Sequence, residues 1–326
     1  MPSVEHSLCP RNRRKGVTEM PIEPTEKIWM DGDLVDWDDA KIHILTHTLH
    51  YGCGVFEGIR AYPTDRGPAV FRLTDHIHRL FNSAKIFMID VPFTVEEIVT
   101  ATKETVRVNG LDQCYIRPIV YLGYGEMGLN PLPCTVNVSI AVWPWGAYLG
   151  EDGLEQGVRM KISSWQRHDP NAMPPAAKGT GMYINSSMAK IEALKSGYDE
   201  AILLSPQGYV SECTGENLFV VRGGRIITPP SSAGALEGIT QSSVLTIARD
   251  LGYSVEVGNI LRSDLYVAEE AFLSGTAAEV VPISSVDDRL VSDGRPGPMT
   301  RRIQEVFGEA VRGKVDRYKD WNEHVS

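Results

Sequence analysis

The apolar and polar residues of this chain alternate in short runs with the period of a β-strand, and Gly- and Pro-rich turns separate the runs. Residues 27–30 and 34–37 lie on either side of Asp31-Gly32, a pair that readily adopts the positive φ angles of a tight hairpin. Further strands are predicted at 55–62, 69–73, 114–123 and 135–145. The first part of the chain is therefore predicted to be rich in strands.

Two helices are predicted in this first part from their capping residues. Thr74 or Asp75 can cap a helix that runs to about residue 84, because short polar side chains accept hydrogen bonds from the free N–H groups of a first turn. Thr94 is followed three residues later by Glu97, which is the pattern of a capping box. Gly110 is suited to end that second helix.

The second part of the chain mixes strands with helices. A helix is predicted over 182–196, with Ile184, Met188, Ile191 and Leu194 on one face. The other predicted elements are strands at 158–165, 201–204, 209–212, 218–221, 225–228 and 271–273, and helices at 241–251 and 299–311.

A domain boundary is predicted at residues 144–153, where Gly and Pro break all periodicity. A length of 326 residues is in keeping with two domains. We therefore predict a disordered tail, a small domain, a linker and a large domain, at 1–25, 26–145, 146–156 and 157–326 respectively. Met20 offers an alternative start within that tail.

Charge and cysteine content argue against several classes of function. The formal net charge of −10 would repel nucleic acid and anionic membranes, although it allows a local basic pocket for one phosphate. The five Cys residues are scattered and form no CxxC pair, which argues against a disulfide framework and a zinc site. The chain has no apolar run of membrane-spanning length and no apolar core of a secretion signal in its first twenty residues. We therefore predict a cytoplasmic protein.

Three histidines, His43, His47 and His50, lie close together in the sequence. Metal sites in proteins usually combine histidine with carboxylate or Cys ligands at recurring spacings, and no such partner recurs here. We therefore predict no metal site, and we expect these histidines to pack or to form ordinary hydrogen bonds.

A single lysine, Lys178, lies among small apolar residues, Pro and Gly in the segment 174–183, with no acidic residue within five positions. A lysine in a crowded, partly desolvated place loses its proton more easily, and its amine can then form a Schiff base with a carbonyl compound. The alternative is an ordinary loop lysine beside the start of a helix, and the segment taken alone favours that alternative.

The commonest carbonyl cofactor for such a lysine is pyridoxal 5′-phosphate (PLP), which needs three kinds of partner. Its ring nitrogen needs a carboxylate, for which Glu212 at a strand end is a candidate. Its phosphate needs hydroxyl and backbone N–H groups at a helix start, as at 238–240 and 274–276. Its phenolic oxygen needs a donor, for which Tyr183 is a candidate. Each residue taken alone is better explained as a strand end, cap, turn or core position.

Taken together, seven motifs occur in an order that resembles one known family. They are H-Y-G-x-x-V-F-E-G-I-R (50–60), Y-I-R-P (115–118), P-W-G-A-Y-L-G (144–150), A-A-K (176–178), G-E-N-L-F (215–219), G-I-T (238–240) and S-G-T-A-A-E (274–279). Over about residues 27 to 312 the chain resembles the bacterial branched-chain amino-acid aminotransferases, which are class IV aminotransferases of PLP fold type IV. The resemblance implies an α/β (α+β) fold with a smaller N-terminal α/β domain and a larger C-terminal β-barrel-like domain with helices. The active site would lie at the interface of the two domains.

The resemblance also implies a role for each cofactor-binding residue. Lys178 would be linked covalently to PLP and would move a proton during the reaction, so it is the predicted catalytic residue. Glu212 would pair with the ring nitrogen and Tyr183 with the phenolic oxygen, while Leu236 would pack on the face of the ring. The phosphate would be held by Arg79, Ile239, Thr240 and Thr276.

A second implied set of residues binds the substrate. Tyr115, with the backbone of Thr276 and Ala277, would take the α-carboxylate. Arg117 would grip the side-chain carboxylate of glutamate and turn aside for an apolar side chain, because a guanidinium binds carboxylates bidentately. The alternative for Arg117 is a strand arginine paired at the surface. The aliphatic side chain would be enclosed by Phe56, Trp145, Tyr148 and Tyr183, with Tyr51 and Leu129 reaching in from a neighbouring subunit.

The resemblance therefore implies PLP-dependent, ping-pong transfer of the amino group of Leu, Ile or Val to 2-oxoglutarate, giving branched-chain 2-oxo acids and L-glutamate. Three alternatives stay open: a D-amino-acid or (R)-amine transaminase of the same fold, a fold-sharing lyase that acts on aminodeoxychorismate, and a non-catalytic binding protein. A homodimer is the implied minimum, with a hexamer as the larger alternative. Cys213, Gln241 and Met182 depart from the family pattern, which is compatible with a relaxed substrate range.

Overall fold

The computed structural model describes residues 22–146 and 149–325, so most of the predicted tail falls outside it. One of its two sheets has eight antiparallel strands, in the order β17-β5-β4-β6-β7-β1-β2, with β3 beside β6. These strands are β1 (Lys27–Met30), β2 (Asp33–Asp36), β3 (Gly54–Phe56), β4 (Ile59–Thr64), β5 (Gly67–Phe71), β6 (Cys114–Leu122), β7 (Val136–Trp143) and β17 (Asn322–His324).

The second sheet has nine strands in the order β10-β9-β8-β15-β14-β11-β12-β13, with β16 beside β15. The pairings β8–β9, β15–β8 and β12–β13 are parallel, and the other pairings are antiparallel. The strands are β8 (Val158–Gln166), β9 (Glu200–Leu204), β10 (Val210–Cys213), β11 (Asn217–Arg222), β12 (Arg225–Thr228), β13 (Ser254–Val257), β14 (Glu270–Gly275), β15 (Glu279–Val286) and β16 (Arg289–Leu290).

The α-helices of the described residues cover the faces and ends of these sheets. They are α1 (His47–Tyr51), α2 (Leu73–Ile86), α3 (Val95–Val108), α4 (Glu151–Gln156), α5 (Tyr183–Lys195), α6 (Ile239–Asp250), α7 (Arg262–Tyr266) and α8 (Pro298–Ala310). Short 3-10 helices lie at Trp37–Asp39, Thr180–Met182, Ser231–Ala233 and Asp316–Trp321. In the described part of the chain, no helix is both long and apolar enough to cross a membrane.

The two sheets are joined by one cluster of buried aromatic and aliphatic side chains. Tyr62 and Phe71 of the first sheet belong to the same cluster as Phe219 and Phe272 of the second sheet and Phe307 of α8. Burial of each such side chain contributes about 1.5–3 kcal/mol relative to exposure. This cluster fixes the relative position of the strand ends that carry the candidate site residues.

Several local predictions are confirmed. The hairpin between β1 and β2 turns at Asp31-Gly32, where φ is 49° and 112°. Thr94 and Glu97 form the expected capping box at the start of α3, and Gly110 follows its end with a φ of 62°. Both predictions are confirmed because each depends only on the conformational preferences and hydrogen bonds of a few residues that are close together in the sequence.

The predicted start of the helix after β5 is wrong. The N-cap residue of α2 is Arg72, which has a left-handed conformation with a φ of 50°. Thr74 does not cap the helix, because its N–H and hydroxyl both donate to the carboxylate of Glu323 in the last strand, at 2.7 and 2.9 Å. A contact from about 250 residues away in sequence thus replaces the local cap.

The single strand predicted at 55–62 is also wrong, because the structure has β3 and β4 with a break at Glu57-Gly58. Both strands pair with β6. Glu57 at the break is fully buried, and its carboxylate bonds to side chains of α2. The break therefore lets a charged side chain reach a buried partner.

The apolar face predicted for the helix at 182–196 is not the buried face of α5. Ile184, Ile191 and Leu194 are 67%, 46% and 41% exposed. The buried residues of this helix are the small residues Ser186, Ala189 and Ala193. Ala189 and Ala193 pack with Ala201 and Leu203 of β9, so a close approach of helix to sheet decides which face is buried.

The segment predicted as a linker contains α4, and the chain returns at its end to the first sheet through β17. The division into two domains stays a prediction. The three histidines do not converge, because His47 Nε2 lies 2.8 Å from the Gly128 carbonyl and His50 Nε2 lies 2.9 Å from that of Ile44. No cluster of three or more metal-ligating side chains occurs among the residues that the structure describes.

Candidate active site

Eight of the predicted site residues line a cavity of about 380 Å³ between the two sheets, namely Phe56, Tyr115, Arg117, Trp145, Lys178, Tyr183, Thr276 and Ala277. The break after β3, strand β6, the segment at Lys178 and the β14–β15 turn all contribute to its walls. Its lining residues are Phe56, Gly58, Tyr115, Arg117, Ile119, Trp145, Lys178, Thr180, Tyr183, Gly215, Glu216, Thr276 and Ala277. A smaller cavity on the other side of Lys178 and Tyr183 is lined by Glu212, Leu236, Arg167 and His168, among others.

Lys178 is held by its backbone and leaves its amine at the junction of the two cavities. Its N–H donates to Ser83 Oγ at 3.0 Å, and its carbonyl accepts from the N–H of Phe56 at 3.1 Å. Its Nζ lies 2.7 Å from the hydroxyl of Tyr183 and 5.3 Å from the centre of the Phe56 ring. The described residues include no carboxylate in a salt bridge with Lys178. A half-buried amine without an anionic partner is suited to act as a nucleophile.

The glycine that follows Lys178 permits this close packing. A Cβ on Gly179 would lie 2.6 Å from the Phe87 ring. The chain can therefore pass between α2 and β3 only without a side chain at this position.

Glu212 lies at the end of β10 and is only 8% exposed. Its Oε1 accepts from Arg167 Nη2 at 2.5 Å, and its Oε2 accepts from the N–H of Leu236 at 3.0 Å. A buried carboxylate that lines the smaller cavity and is already paired with a guanidinium is suited to accept from a protonated ring nitrogen. Leu236 lines the same cavity, and its contact with a cofactor ring stays a prediction.

Arg79 lies on α2 and is paired with the fully buried Glu57. Its Nε and Nη2 donate to the two carboxylate oxygens of Glu57 at 2.7 and 2.8 Å, and its Nη1 donates to the Glu237 carbonyl at 2.8 Å. Burial alone would raise the pKa of Glu57, but the charge of Arg79 and hydrogen bonds from Arg79 and His76 bring the pKa well below its ordinary value. The guanidinium is therefore fixed as one half of an ion pair.

The start of α6 lies next to Arg79. The first helical hydrogen bond runs from the N–H of Ser242 to the Gly238 carbonyl, so the N–H groups of Ile239 and Thr240 precede that ladder and have no partner within the helix. Such a helix start attracts phosphate. Gln241 completes the cap, because its side-chain oxygen accepts from the Gly238 N–H at 3.2 Å.

The far wall of the larger cavity is aromatic. Tyr115 is 6% exposed and stacks on Trp145 with 4.7 Å between ring centres. The guanidinium of Arg117 lies 4.7 Å from the centre of the Phe56 ring and 5.2 Å from that of Tyr115. One of its nitrogens donates to the Tyr115 hydroxyl at 3.2 Å, and its buried Nε has no partner among the described residues. The alternative of a surface-paired arginine is not what the structure contains.

The turn between β14 and β15 brings Thr276 and Ala277 to the same cavity as Tyr115. The Ala277 carbonyl accepts from Arg60 Nη1 at 3.5 Å, and Arg60 in turn forms a salt bridge with Glu279 at 3.1 Å. The turn is therefore held by Arg60, which is not among the residues that line the cavity.

Three predicted substrate residues are not brought into the cavity by the described part of this chain. Tyr51 and Leu129 are 40% and 87% exposed and lie outside its lining, and their role at a neighbouring subunit's site stays a prediction. Tyr148 lies outside the described residues.

Sequence reasoning missed three charged groups that shape the site. Arg167 holds Glu212, Glu57 holds Arg79, and Glu216 lines the larger cavity while only 4% exposed. Burial, together with the charge of Glu200, raises the pKa of Glu216 to about 8. A charged residue inside an apolar run, such as Glu57 between Phe56 and Gly58, was the available signal, because charges are almost never buried without partners.

The donor set fits PLP. A lysine amine, a tyrosine hydroxyl 2.7 Å away, a paired carboxylate, and an arginine beside a helix start correspond to the aldehyde, phenolic oxygen, ring nitrogen and phosphate of that cofactor. The lysine, the tyrosine and the carboxylate line the two cavities, and the arginine bonds to the carbonyl of Glu237, the residue after Leu236 in the lining of the smaller one.

The amino-transferase class IV family matches residues 54–286. The branched-chain-amino-acid aminotransferase of Pseudomonas aeruginosa is 48% identical over 294 residues, which cover 90% of this chain and 95% of that protein. The crystal structure of the Escherichia coli branched-chain amino acid aminotransferase matches with a TM-score of 0.91 at 44% identity, over 93% of this chain and 100% of that one.

A second similar structure is the T.th. branched-chain amino acid aminotransferase complexed with N-(5′-phosphopyridoxyl)-L-glutamate. Its TM-score is 0.89 at 48% identity, over 93% of this chain and 99% of that one. The fold and family expected from the sequence motifs are confirmed, and the chain belongs to the class IV aminotransferases, in the group of the branched-chain-amino-acid aminotransferases.

Proposed function

We propose that this protein uses PLP to transfer the amino group of L-leucine, L-isoleucine or L-valine to 2-oxoglutarate, giving the branched-chain 2-oxo acid and L-glutamate. The observation that carries the proposal is Arg117, a guanidinium without an acidic partner among the described residues, set in an aromatic wall. The names of the relatives support the branched-chain substrate, and the T.th. complex supports the cofactor and glutamate.

The aromatic wall and Arg117 together explain how one cavity can accept two unlike side chains. Phe56, Tyr115 and Trp145 offer apolar surface to a branched aliphatic group, whose burial is favoured by about 25 cal/mol per Å². Arg117 offers a fork of N–H groups to the second carboxylate of glutamate or 2-oxoglutarate. Because cation–π contact with the rings holds the guanidinium when no second carboxylate is present, the charge is not left in an apolar pocket without compensation.

The protein groups would hold the cofactor at four points. Lys178 would bond to its aldehyde carbon, Tyr183 and Glu212 would hydrogen-bond to its ring, and Arg79 with the start of α6 would bind its phosphate. PLP, when bound, supplies a carbonyl that condenses with amines and a ring that stabilises negative charge on the substrate α-carbon.

Lys178 is the group that moves protons. Its Nζ would take the proton from the substrate α-carbon and give it to the former aldehyde carbon of the cofactor, and in the second half of the cycle it would move a proton in the opposite direction. The Tyr183 hydroxyl at 2.7 Å orients the amine, and the Phe56 ring keeps water from one side of it. The N–H groups of the 276–277 turn, with the Tyr115 hydroxyl, would hold the α-carboxylate so that the α-hydrogen faces Lys178.

The absorbance of the purified yellow protein tests the proposal. Addition of L-leucine without an acceptor is expected to bleach the visible cofactor band, and addition of 2-oxoglutarate is expected to restore it. D-Alanine and an (R)-amine serve as matched additions. If either of these bleaches the band faster than L-leucine does, the D-amino-acid or (R)-amine transaminase replaces the proposal. If pyruvate forms from aminodeoxychorismate without an amino acceptor, the lyase activity replaces the proposal.

The Lys178→Ala variant tests the catalytic residue. Both turnover and the visible band of the lysine–cofactor link are expected to be lost, because alanine has no amine. Lys178→Arg keeps the positive charge but forms no such link, so it is expected to behave in the same way. Retention of the band in either variant would contradict the assignment of Lys178.

We further propose that the protein is at least a homodimer, with a hexamer as the larger alternative. The segments 42–51 and 124–132 both carry exposed apolar side chains, among them Ile44 and Leu129 at 72% and 87% exposure. The His43 and Tyr124 rings, 4.2 Å apart, hold the two segments together. Light scattering should give a dimer or a larger even assembly. Leu129→Glu is expected to weaken it and to lower kcat, and a fully active monomer would contradict the proposal.

A further inference from the structure

Glu57 makes a buried arrangement that the proposed reaction does not itself need. Its side chain is fully buried at the break between β3 and β4. One oxygen accepts from Arg79 Nε at 2.7 Å, and the other accepts from Arg79 Nη2 and from His76 Nδ1, each at 2.8 Å. His76 and Arg79 lie three residues apart on α2 and therefore on the same face of that helix.

Burial and the contacts between these side chains together determine the protonation states of His76 and Arg79. Burial lowers the pKa of His76, although Glu57 acts in the opposite direction, so the imidazole is neutral and donates its Nδ1–H. Burial alone would lower the pKa of Arg79, but the charge and hydrogen bonds of Glu57 raise it. The result is one buried anion, one cation and one neutral donor, a combination that is strongly destabilised if only one charged partner is removed.

Not all N–H groups of Arg79 are used by the contacts described above. An arginine has five N–H donors, and Arg79 uses two toward Glu57 and one toward the Glu237 carbonyl. Glu237 directly precedes Gly238, the N-cap residue of α6. Arg79 therefore keeps two N–H groups for a further acceptor, and its bond to Glu237 places the guanidinium next to the start of α6, whose first N–H groups have no partner within the helix.

We propose that Glu57, supported by His76, is a positioning residue that holds Arg79 in place for the phosphate of the cofactor. A free arginine side chain has about 2 kcal/mol of rotamer entropy to lose when it is ordered. Glu57 orders the Arg79 side chain before the phosphate binds, so the loss of this rotamer entropy does not weaken phosphate binding. This inference rests on the proposed function, because it takes PLP as the cofactor.

The experiment compares PLP with pyridoxal, which lacks the phosphate but can form the same link to Lys178. The full chain is stripped of cofactor, and each compound is titrated by absorbance. The ratio of the two Kd values isolates the phosphate contribution. Glu57→Gln is expected to lower PLP affinity tenfold or more and pyridoxal affinity less than threefold. Arg79→Met is expected to reduce the ratio similarly, and the double variant is expected to reduce it no further.

Two results would overturn the positioning role. One is an equal loss of affinity for PLP and pyridoxal in Glu57→Gln, which would mean a general structural role. The other is an additive loss in the double variant, which would mean that Glu57 does not act through Arg79. If Glu57→Gln does not fold, Glu57→Asp decides, because it keeps the charge but cannot reach both partners; an unchanged ratio there would also overturn the role.

The wild-type titration separates this inference from the proposed function. If the wild-type protein takes up neither compound, the proposed function fails and the positioning role fails with it. If the wild-type protein binds PLP much more tightly than pyridoxal and the variants keep that ratio, only the positioning role fails.

Discussion

The guanidinium of Arg167 lies 2.5 Å from the carboxylate of Glu212, and the side chains of both residues are about nine-tenths buried. Arg167 also donates to the side chains of Asn185 and Ser186 on α5, each at 3.1 Å. The end of β8, the start of α5 and the end of β10 are therefore tied together at the carboxylate that would face the cofactor ring. The orientation of Glu212 depends on a residue 45 positions earlier.

Arg167→Met should disable the site more than it unfolds the protein. The substitution leaves a buried carboxylate without its cation, which typically destabilises a protein by roughly 3–5 kcal/mol. Because Glu212 is then free to turn away from the cofactor, we expect kcat for L-leucine to fall at least about tenfold, equivalent to about 1.4 kcal/mol. Arg159→Met on β8, the strand that ends directly before Arg167, is the matched control, since Arg159 is half-exposed and pairs with the exposed Asp288. Equal effects of the two substitutions on kcat would contradict this role of Arg167.

Arg117→Ala should lower kcat/KM for 2-oxoglutarate much more than kcat/KM for L-leucine. The guanidinium would bind only the second carboxylate of glutamate or 2-oxoglutarate, so loss of this charge-assisted contact should lower kcat/KM for 2-oxoglutarate by about 10- to 100-fold. The value for L-leucine should change only a few-fold, because the aromatic wall remains. Stopped-flow absorbance of each half-reaction measures the two values independently. Equal losses for leucine and 2-oxoglutarate would place Arg117 at the α-carboxylate instead.

Gly58→Ala should displace the tyrosine at the substrate end. A Cβ at this position would lie 2.0 Å from the Tyr115 hydroxyl and 2.9 Å from its Cζ, so the ring must move. We expect KM for L-leucine to rise about tenfold or more with cofactor binding retained, because a displacement of about 1 Å is sufficient for large kinetic losses. Gly308→Ala on α8 is the control, since its nearest neighbour would be 3.7 Å away and helix propensity favours alanine. Unchanged kinetics in Gly58→Ala would show that Tyr115 is not needed in its present position.

The sequence indicated the residues of the candidate site, but not the charged residues that hold them in position. Lys178 ends the 176–178 motif, Tyr183 follows it by five residues and Glu212 precedes the 215–219 motif by three, and the structure brings the first two within 2.7 Å of each other. Arg167 and Glu57 could not be assigned in this way, because their partners are distant in sequence and only the folded chain brings them together. A motif reports which groups are present, whereas an ion pair between distant strands depends on tertiary packing.

The same distinction applies to the secondary structure. The capping box at Thr94 was predicted because cap and helix are adjacent in sequence. The start of α2 was not, because Glu323 takes the Thr74 side chain. On α5 the periodicity was read correctly as helical, but the exposed Ile184 and the buried Ala189 show that close packing on β9 outweighs side-chain hydrophobicity.

Glu216 makes the stability of the folded protein depend on pH, and the direction of this dependence follows from its pKa. It is 4% exposed, and Glu200, a second buried carboxylate, is held by Lys190 at 2.6 Å and by the Thr214 hydroxyl at 2.7 Å. Because burial and then the charge of Glu200 raise the pKa of Glu216 to about 8, the folded protein keeps this proton at a pH where the unfolded chain has lost it. Folding therefore binds a proton, and the contribution of Glu216 to stability is present below the unfolded pKa and is lost as the pH rises to about 8.

Glu216→Gln should remove that dependence, since an amide stays neutral at every pH. Between about pH 5 and pH 8 the free energy of unfolding of the variant should rise relative to the wild type by up to about 1.4 kcal/mol per pH unit, and the difference should level off above that range. Urea unfolding of both proteins at several pH values measures it, with Glu216→Asp as the control that keeps an ionisable group. Parallel stability curves for wild type and Glu216→Gln would mean that Glu216 is already ionised at neutral pH. In that case the larger cavity would carry a fixed negative charge on its wall, which would repel the carboxylates of its substrates. A neutral Glu216 is therefore also the state that suits the proposed binding of 2-oxoglutarate in this cavity.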